Sequence, residues 1–222
     1  LICLTFDDGY LDNYVFVYPV LKRYGAKGTI FINPEFVQEN ELLRPTLETV
    51  WEGNAAITDL PVLGFASWEE LRSMQSSGVM DIQSHTMTHT KYFVSDKIVD
   101  FHHPRADYLY PIINRHPENK AYYMTDPGFI KRIPWGTPFF EERSSVIARR
   151  VTINEQFNEE CVEALKNTDW SVYSFIECLA DINTIYLSYK RANKLIAHVE
   201  TVEEYESRVT AELRDSKAII EK

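Results

Sequence analysis

Leu4-Thr5-Phe6-Asp7-Asp8-Gly9, and further on Gly28-Thr29-Ile30-Phe31-Ile32-Asn33, decide the architecture of this chain. The first closes an apolar run, residues 1–6, that reads as a buried strand ending in two carboxylates and a glycine. Between the two, residues 10–24 place Leu11, Tyr14, Val15, Tyr18 and Leu21 at a helical period closed by Gly25. Pro19 predicts a kink or brief interruption in that helix, because it lacks the N–H its turn needs. Residues 28–33 read as a second buried strand. Strand, helix and strand at this spacing form a βαβ unit, with parallel strands and a right-handed crossover. The fold class is α/β.

Working outward, residues 34–66 lack a clean period and read as a loop with short helical pieces. Ser67-Trp68-Glu69-Glu70 has the form of a capping box and predicts a helix through Leu71 and Met74 that stops at Gly78. Residues 79–83 then form a third strand, which delivers Ser84-His85-Thr86-Met87-Thr88-His89 just past its C-terminal end. Residues 91–135 hold five prolines, many tyrosines and little periodicity. So long a connection predicts an insertion, with local packing of its own or facing a substrate. Helices are expected over 155–166 and 172–194. Thr201-Val202-Glu203-Glu204 forms another capping box and opens a helix over 202–221. Tyr205, Val209, Leu213 and Ile220 mark its expected buried side.

Composition narrows the function. The 222 residues are 45% hydrophobic and 25% charged, ordinary for one globular domain. Acidic residues number 33 against 23 basic, a formal net charge of −10. That balance argues against a nucleic-acid or anionic-membrane surface, which needs clustered lysine and arginine. No apolar run approaches the ~18 residues of a membrane span. Residue 1 already lies in the first strand and no methionine precedes it. The expectation is therefore a segment of a longer protein, from which a targeting leader could be missing. An acidic, cysteine-poor chain suits the cytoplasm; a leader would move it to the cell envelope. Cys3, Cys161 and Cys178 are few, odd in number and set in apolar patterns, so buried free thiols are expected.

The chemistry lies in the two runs that follow strands. Asp7 and Asp8 repel each other at a strand tip unless a cation sits beside them. An ion bound by one leaves the other able to act as a base toward a coordinated water. Taken alone, Asp-Gly is a turn signal and an aspartate there caps free amides. His85 and His89, at i and i+4, project to one side if the segment turns helically, as in HExxH metal sites. Taken alone, such a pair also reads as two hydrogen-bonded surface histidines. Their conjunction decides, because parallel strands bring both runs to one edge of the sheet, where α/β barrels assemble their active sites.

Thr5-Phe6-Asp7-Asp8-Gly9 and His85-Thr86-Met87-Thr88-His89 resemble, in this order, the first two motifs of the NodB-homology polysaccharide deacetylases, carbohydrate esterase family 4. The resemblance implies a distorted (β/α) barrel with one strand fewer than eight. It implies Asp7 as catalytic base and Asp8, His85 and His89 as ligands of a divalent metal, zinc by ligand type. It also implies removal of N-acetyl groups from a carbohydrate, a polysaccharide or a surface-glycan precursor, by metal-dependent hydrolysis. An O-acetyl esterase, a cyclic-amide hydrolase and a non-catalytic carbohydrate-binding relative remain open on the same fold.

The chain also departs from that family. A third motif, of the form RxPY(G), orients the catalytic aspartate and completes an oxyanion hole. The helix over 202–221 resembles the one that precedes this motif, and the chain ends where the motif is due. The expected domain is therefore a single deacetylase-like unit over 1–222, C-terminally incomplete. Residues 1–90 are its barrel core, 91–200 an insertion and 201–222 a barrel helix. Arg132-Ile133-Pro134-Trp135-Gly136 is the competing candidate for the third motif. His198 reads as a linker histidine rather than the general acid. His102, His103 and His116 read as insertion residues rather than a second metal site. Tyr92, Tyr108, Tyr110, Tyr122, Tyr123 and Trp135 are the aromatics best suited to face a glycan. Oligomeric state and glycan identity are not legible.

Overall fold

The computed structural model describes residues 2–40, 43–105, 126, 128 and 132–221. Its backbone clusters into two compact units, Leu1–His89 with Thr210–Lys222, and Thr90–Val209.

In the first unit, β1 (Thr5–Asp8), β2 (Gly28–Ile32) and β3 (Met80–Ser84) form a parallel sheet in that order. Asp8 pairs with Ile32 and Ile32 with Ser84, so all three strands end level. The crossover from β1 to β2 runs through a π-helical segment, Asn13–Val17, into α1 (Tyr18–Tyr24). The irregular turn stands just before Pro19, whose missing N–H cannot continue an α ladder. Between β2 and β3 lie two short 3₁₀ turns, α2 (Leu47–Trp51) and α3 (Trp68–Ser76). Ser67 and Glu70 close the expected capping box on α3.

The helices cover one face of this sheet, burying Leu11, Val15, Ile30, Ile32, Leu71, Met74 and Met80 together. Thr5, Asp7, Asp81 and Gln83 lie exposed on the other. That arrangement corrects the first strand, which begins at Thr5 rather than at the N-terminus. Ile2 is 86% exposed and Cys3 is exposed too, so only Cys161 and Cys178 are the buried thiols expected. Apolar residues become core only where helices cover them, and these stand before the covered part of the strand.

The second unit is antiparallel. The strand β4 (Lys91–Phe101) pairs with β5 (Pro138–Ser144), and β6 (Val151–Ile153) pairs with β7 (Ile196–Val199). Helices α4 (Glu155–Leu165) and α5 (Phe175–Arg191) pack with them around Phe101, Phe140, Phe157, Cys161, Leu165 and Ile182. The stretch expected to be irregular thus opens with an 11-residue strand. Its pairing slips between Phe93 and Ile98 and again between Ile98 and Asp100. Such bulges break the alternation by which a strand is read from sequence. Strands β5, β6 and β7, of seven, three and four residues, are likewise not marked by the sequence pattern.

The last helix, α6 (Val202–Ile220), gives its first turns to the second unit and the remainder to the first. Leu213, expected on its buried side, is 54% exposed, while Ser216 is fully buried. Among the described residues the sheets stay small and open. No helix among them is long and apolar enough to cross a membrane.

Candidate metal centre

Because β1, β2 and β3 end level, the residues that leave them meet at one edge: Asp8 with Gly9, Asn33, and His85. Successive strand residues face opposite sides of a sheet. Asp8 leaves that alternation with a left-handed φ of 68°. Gly9 follows at φ 74°, and a Cβ there would stand 3.1 Å from the Ile32 side chain, so the chain turns away tightly over β2.

The histidine run is a loop, so the condition under which its i, i+4 spacing would align the rings, a helical turn, is not met. Thr86 and His89 hold left-handed backbones at φ 71° and 46°. For a β-branched residue such as Thr86 that conformation is a true outlier. These two reversals, rather than a 3.6-residue period, bring the rings together. The His85 and His89 rings stack with centroids 4.7 Å apart and planes 20° apart.

Asp8 Oδ1 lies 3.6 Å from His85 Nε2 and 3.7 Å from His89 Nδ1. The three donor atoms all fall within 4.8 Å of one another, and this is the cluster of metal-ligating side chains found among the described residues. Tetrahedral ligands about 2.0–2.2 Å from a zinc-like ion stand about 3.3–3.6 Å apart, close to the observed spacing. Asp8 Oδ1 is buried and accepts no hydrogen bond among the described residues. A carboxylate oxygen left dry and unmet is costly unless a cation belongs there. The residues therefore fit a divalent ion bound through one carboxylate and two imidazoles, with open positions for water and a substrate oxygen.

Asp7 is exposed, and it pairs in register with Phe31 of β2, so the two side chains share a face of the sheet. The Phe31 ring stands 6.4 Å from that of His85, which puts the histidine on the same face as Asp7.

Asn33 was not singled out from the sequence. It is fully buried, and its Nδ2 donates to the carbonyls of His85 at 2.5 Å and Thr86 at 3.3 Å. A signal existed, because Asn33 follows the second apolar strand just as His85 follows the third. Two further polar contacts come from α6, Glu212 to Thr88 and Ser216 to Ser84. Glu212 and Ser216 both lie in the run Glu212-Leu213-Arg214-Asp215-Ser216-Lys217 of the helix that resembles the one preceding the family's third motif, but no local rule predicts these contacts.

The other candidate residues lie in the second unit. Arg132 is ion-paired with Asp126. The Trp135 ring lies 4.6 Å from the ring of buried His102, and Gly136 N–H donates to the His102 carbonyl at 2.8 Å. His103 is buried, stacked 3.7 Å from Tyr173, and its Nδ1 accepts the Arg105 amide. Burial depresses the basicity of both histidines. Exposed His198 contacts Glu204, which closes the capping box with Thr201. The Tyr92 ring lies against the guanidinium groups of Arg150 and Arg208. His116, Tyr108, Tyr110, Tyr122 and Tyr123 lie outside the described residues.

Comparisons with known proteins bear on this edge of the sheet. A 31-residue stretch is 64% identical to a Bacillus subtilis (strain 168) protein named "Putative polysaccharide deacetylase YxkH", covering 14% of this chain and 11% of that protein. The BpsB deacetylase domain from Bordetella bronchiseptica superposes over 99% of this chain and 49% of its own, at 17% identity and a TM-score of 0.44. A de-N-acetylase from Aggregatibacter actinomycetemcomitans covers 42% of this chain and 33% of its own, at 28% identity and a TM-score of 0.31. At such TM-scores neither structure speaks to the placement of active groups. In each case this chain spans less than half of the relative's length. The sequence profile described as Polysaccharide deacetylase matches residues 1–117, a span that takes in both strand-end runs. On that match, covering more than half of its residues, the chain belongs to the polysaccharide deacetylase family.

Proposed function

We propose that this chain carries the centre of a metal-dependent hydrolase that removes N-acetyl groups from a carbohydrate. In this reading Asp8, His85 and His89 hold a divalent ion, zinc by ligand type, and Asp7 is the catalytic base. What supports it is one observation: a buried, unmet carboxylate oxygen within 3.7 Å of two imidazole nitrogens, at the end of the sheet where both motifs emerge.

A bound ion supplies Lewis acidity toward the acetyl carbonyl and makes a water acidic enough to lose its proton near neutral pH. The chain's own groups do the rest. Asp7, exposed beside the Phe31–His85 face, accepts the proton of the attacking water. Asp8 would hold the ion through its unmet oxygen, beside His85 and His89. Asn33 holds the backbone of His85 so that its ring faces Asp8. The amine leaves only once protonated, since an amide anion is too basic to depart.

The architecture follows the same reading: the parallel sheet is part of a distorted (β/α) barrel, and 91–200 is an insertion into one deacetylase domain. The test is acetate release from oligomers of N-acetylglucosamine by the purified protein, before and after chelation and with Zn²⁺ restored. Release should vanish on chelation, return with the ion, and be absent from Asp8→Ala and His85→Ala. Release that survives chelation and both substitutions removes the metal from the mechanism.

A further inference from the structure

We infer that Glu212, with Ser216 one turn away on α6, is a positioning residue that holds the two imidazoles in ligating geometry. The inference rests on the reading of Asp8, His85 and His89 as a metal centre.

The loop from His85 to His89 has no regular structure to keep its shape, and it contains two left-handed residues, Thr86 and His89. Such conformations persist only where surrounding contacts over-determine them. The contacts fall in a pattern. Ser84, directly before His85, shares a 2.5 Å hydrogen bond with Ser216 Oγ. Thr88, directly before His89, donates both its amide, at 2.8 Å, and its hydroxyl, at 2.9 Å, to Glu212 Oε1. Each ligand is thus preceded by a residue tied to the same helix. The two helix residues are four apart, so they occupy one face.

From β2, Asn33 takes the carbonyls of His85 and Thr86, and the Glu35 amide takes that of Met87 at 3.3 Å. The helix thus secures the residue before each histidine, while Asn33 and the turn after β2 secure the carbonyls of His85, Thr86 and Met87 between them. A carboxylate suits the Thr88 contact because one oxygen accepts two donors, and a charged acceptor makes the stronger bonds. Glu212 acts through Thr88, whose amide and hydroxyl donate to it. Its effect on a metal is exerted through the backbone of His89.

The test is Co²⁺ binding to the purified protein, read as affinity and as the visible ligand-field spectrum, which reports coordination geometry. Glu212→Ala should weaken binding 10–100-fold, the usual cost of losing a group that orients a metal ligand, and should shift or flatten the spectrum. Glu212→Gln keeps an acceptor oxygen and should restore most of the affinity and the band shape. Wild-type affinity and an unaltered spectrum in Glu212→Ala overturn the inference. So does failure of Glu212→Gln to rescue. If Glu212→Ala loses its far-ultraviolet circular dichroism, the double variant Thr88→Val/Ser216→Ala takes its place: weakened binding supports the inference, unchanged binding overturns it. Asp8→Ala separates the two levels of argument. Should wild type bind Co²⁺ no better than Asp8→Ala, the metal-centre reading itself fails. Should they differ while Glu212→Ala matches wild type, only the positioning role does.

Discussion

The two units treat their buried charges differently. In the first, Asp8 ends β1 with a buried oxygen that no hydrogen bond meets among the described residues, near two imidazoles. In the second, Glu200 is met by Arg208 at 2.6 and 2.8 Å and by the Arg150 amide at 2.9 Å, while Arg208 also holds the Ser145 and Ala148 carbonyls. A carboxylate answered by a guanidinium and a backbone amide is a cross-link. One left without a hydrogen bond beside two imidazoles is where a cation would fit, on the function proposed above. The same test sorts charges within the first unit: Glu70 is fully buried, but Arg44 and the Ser67 amide satisfy it, so its role is structural.

The largest effect that could break this contrast is on catalysis. Asp7→Asn should cut acetate release about 10²–10⁴-fold, the usual worth of a positioned base, while bound metal stays at the wild-type level. His103→Gln, in the second unit, should leave release unchanged. Acetate assays paired with metal analysis check both, and equal losses would erase the distinction between the units.

Next come the two satisfied carboxylates. Removing one partner of a buried ion pair costs about 3–5 kcal/mol, so Glu70→Gln should destabilise strongly in urea titrations. Glu200→Gln should cost less, its side chain being partly exposed. The pH dependence has a definite sign. Burial raises the Glu70 pKa, but the Arg44 and backbone bonds outweigh it and leave a net lowering. The Arg208 hydrogen bond chiefly lowers that of Glu200. A carboxylate lowered in the folded state contributes stability above its unfolded pKa of about 4.3, and that stability is lost as pH falls through the folded value. Both pairs should therefore fail only in acid.

A smaller effect separates the units at milder pH. Burial holds His102 and His103 below the ordinary imidazole range of about 6.5. A base whose folded pKa is lowered binds fewer protons folded than unfolded, so stability falls as pH drops below about 6.5. Each can contribute a slope of up to about 1.4 kcal/mol per pH unit. The double variant His102→Gln/His103→Gln should flatten the wild-type slope between pH 6.5 and 5 in urea titrations.

The smallest effects are at helix starts. Ser67 caps α3 and Asn154 caps α4, each accepting a backbone amide. Asn154→Ala should cost about 1 kcal/mol. Ser67→Ala should cost at least that, because buried Glu70 N–H loses its acceptor. Thermal melts of the two variants check the ranking.

Where a rule is local, the sequence was readable. The apolar run and helical period around Gly25 foretold the parallel β1–α1–β2 unit, and the capping boxes at Ser67 and Thr201 started helices where expected. The emergence of Asp8 and His85 at one sheet edge was legible because both close or leave strands whose parallel pairing follows from the crossover rule. What failed had a common cause. The bulges of β4 spoil alternation, Cys3 lies uncovered despite apolar neighbours, and the polar Glu212 and Ser216 occupy the face of α6 for which Leu213 was chosen.

The order of residues alone determined which side chains stand at strand ends: two aspartates closing the first strand, an asparagine after the second, a histidine after the third. Chain connectivity and backbone hydrogen bonding suffice for that. Only the tertiary structure decided that His89 turns back toward Asp8, because left-handed residues at 86 and 89 are unfavourable locally and persist through contacts from residues remote in the chain. A local period cannot encode a conformation that distant hydrogen bonds impose.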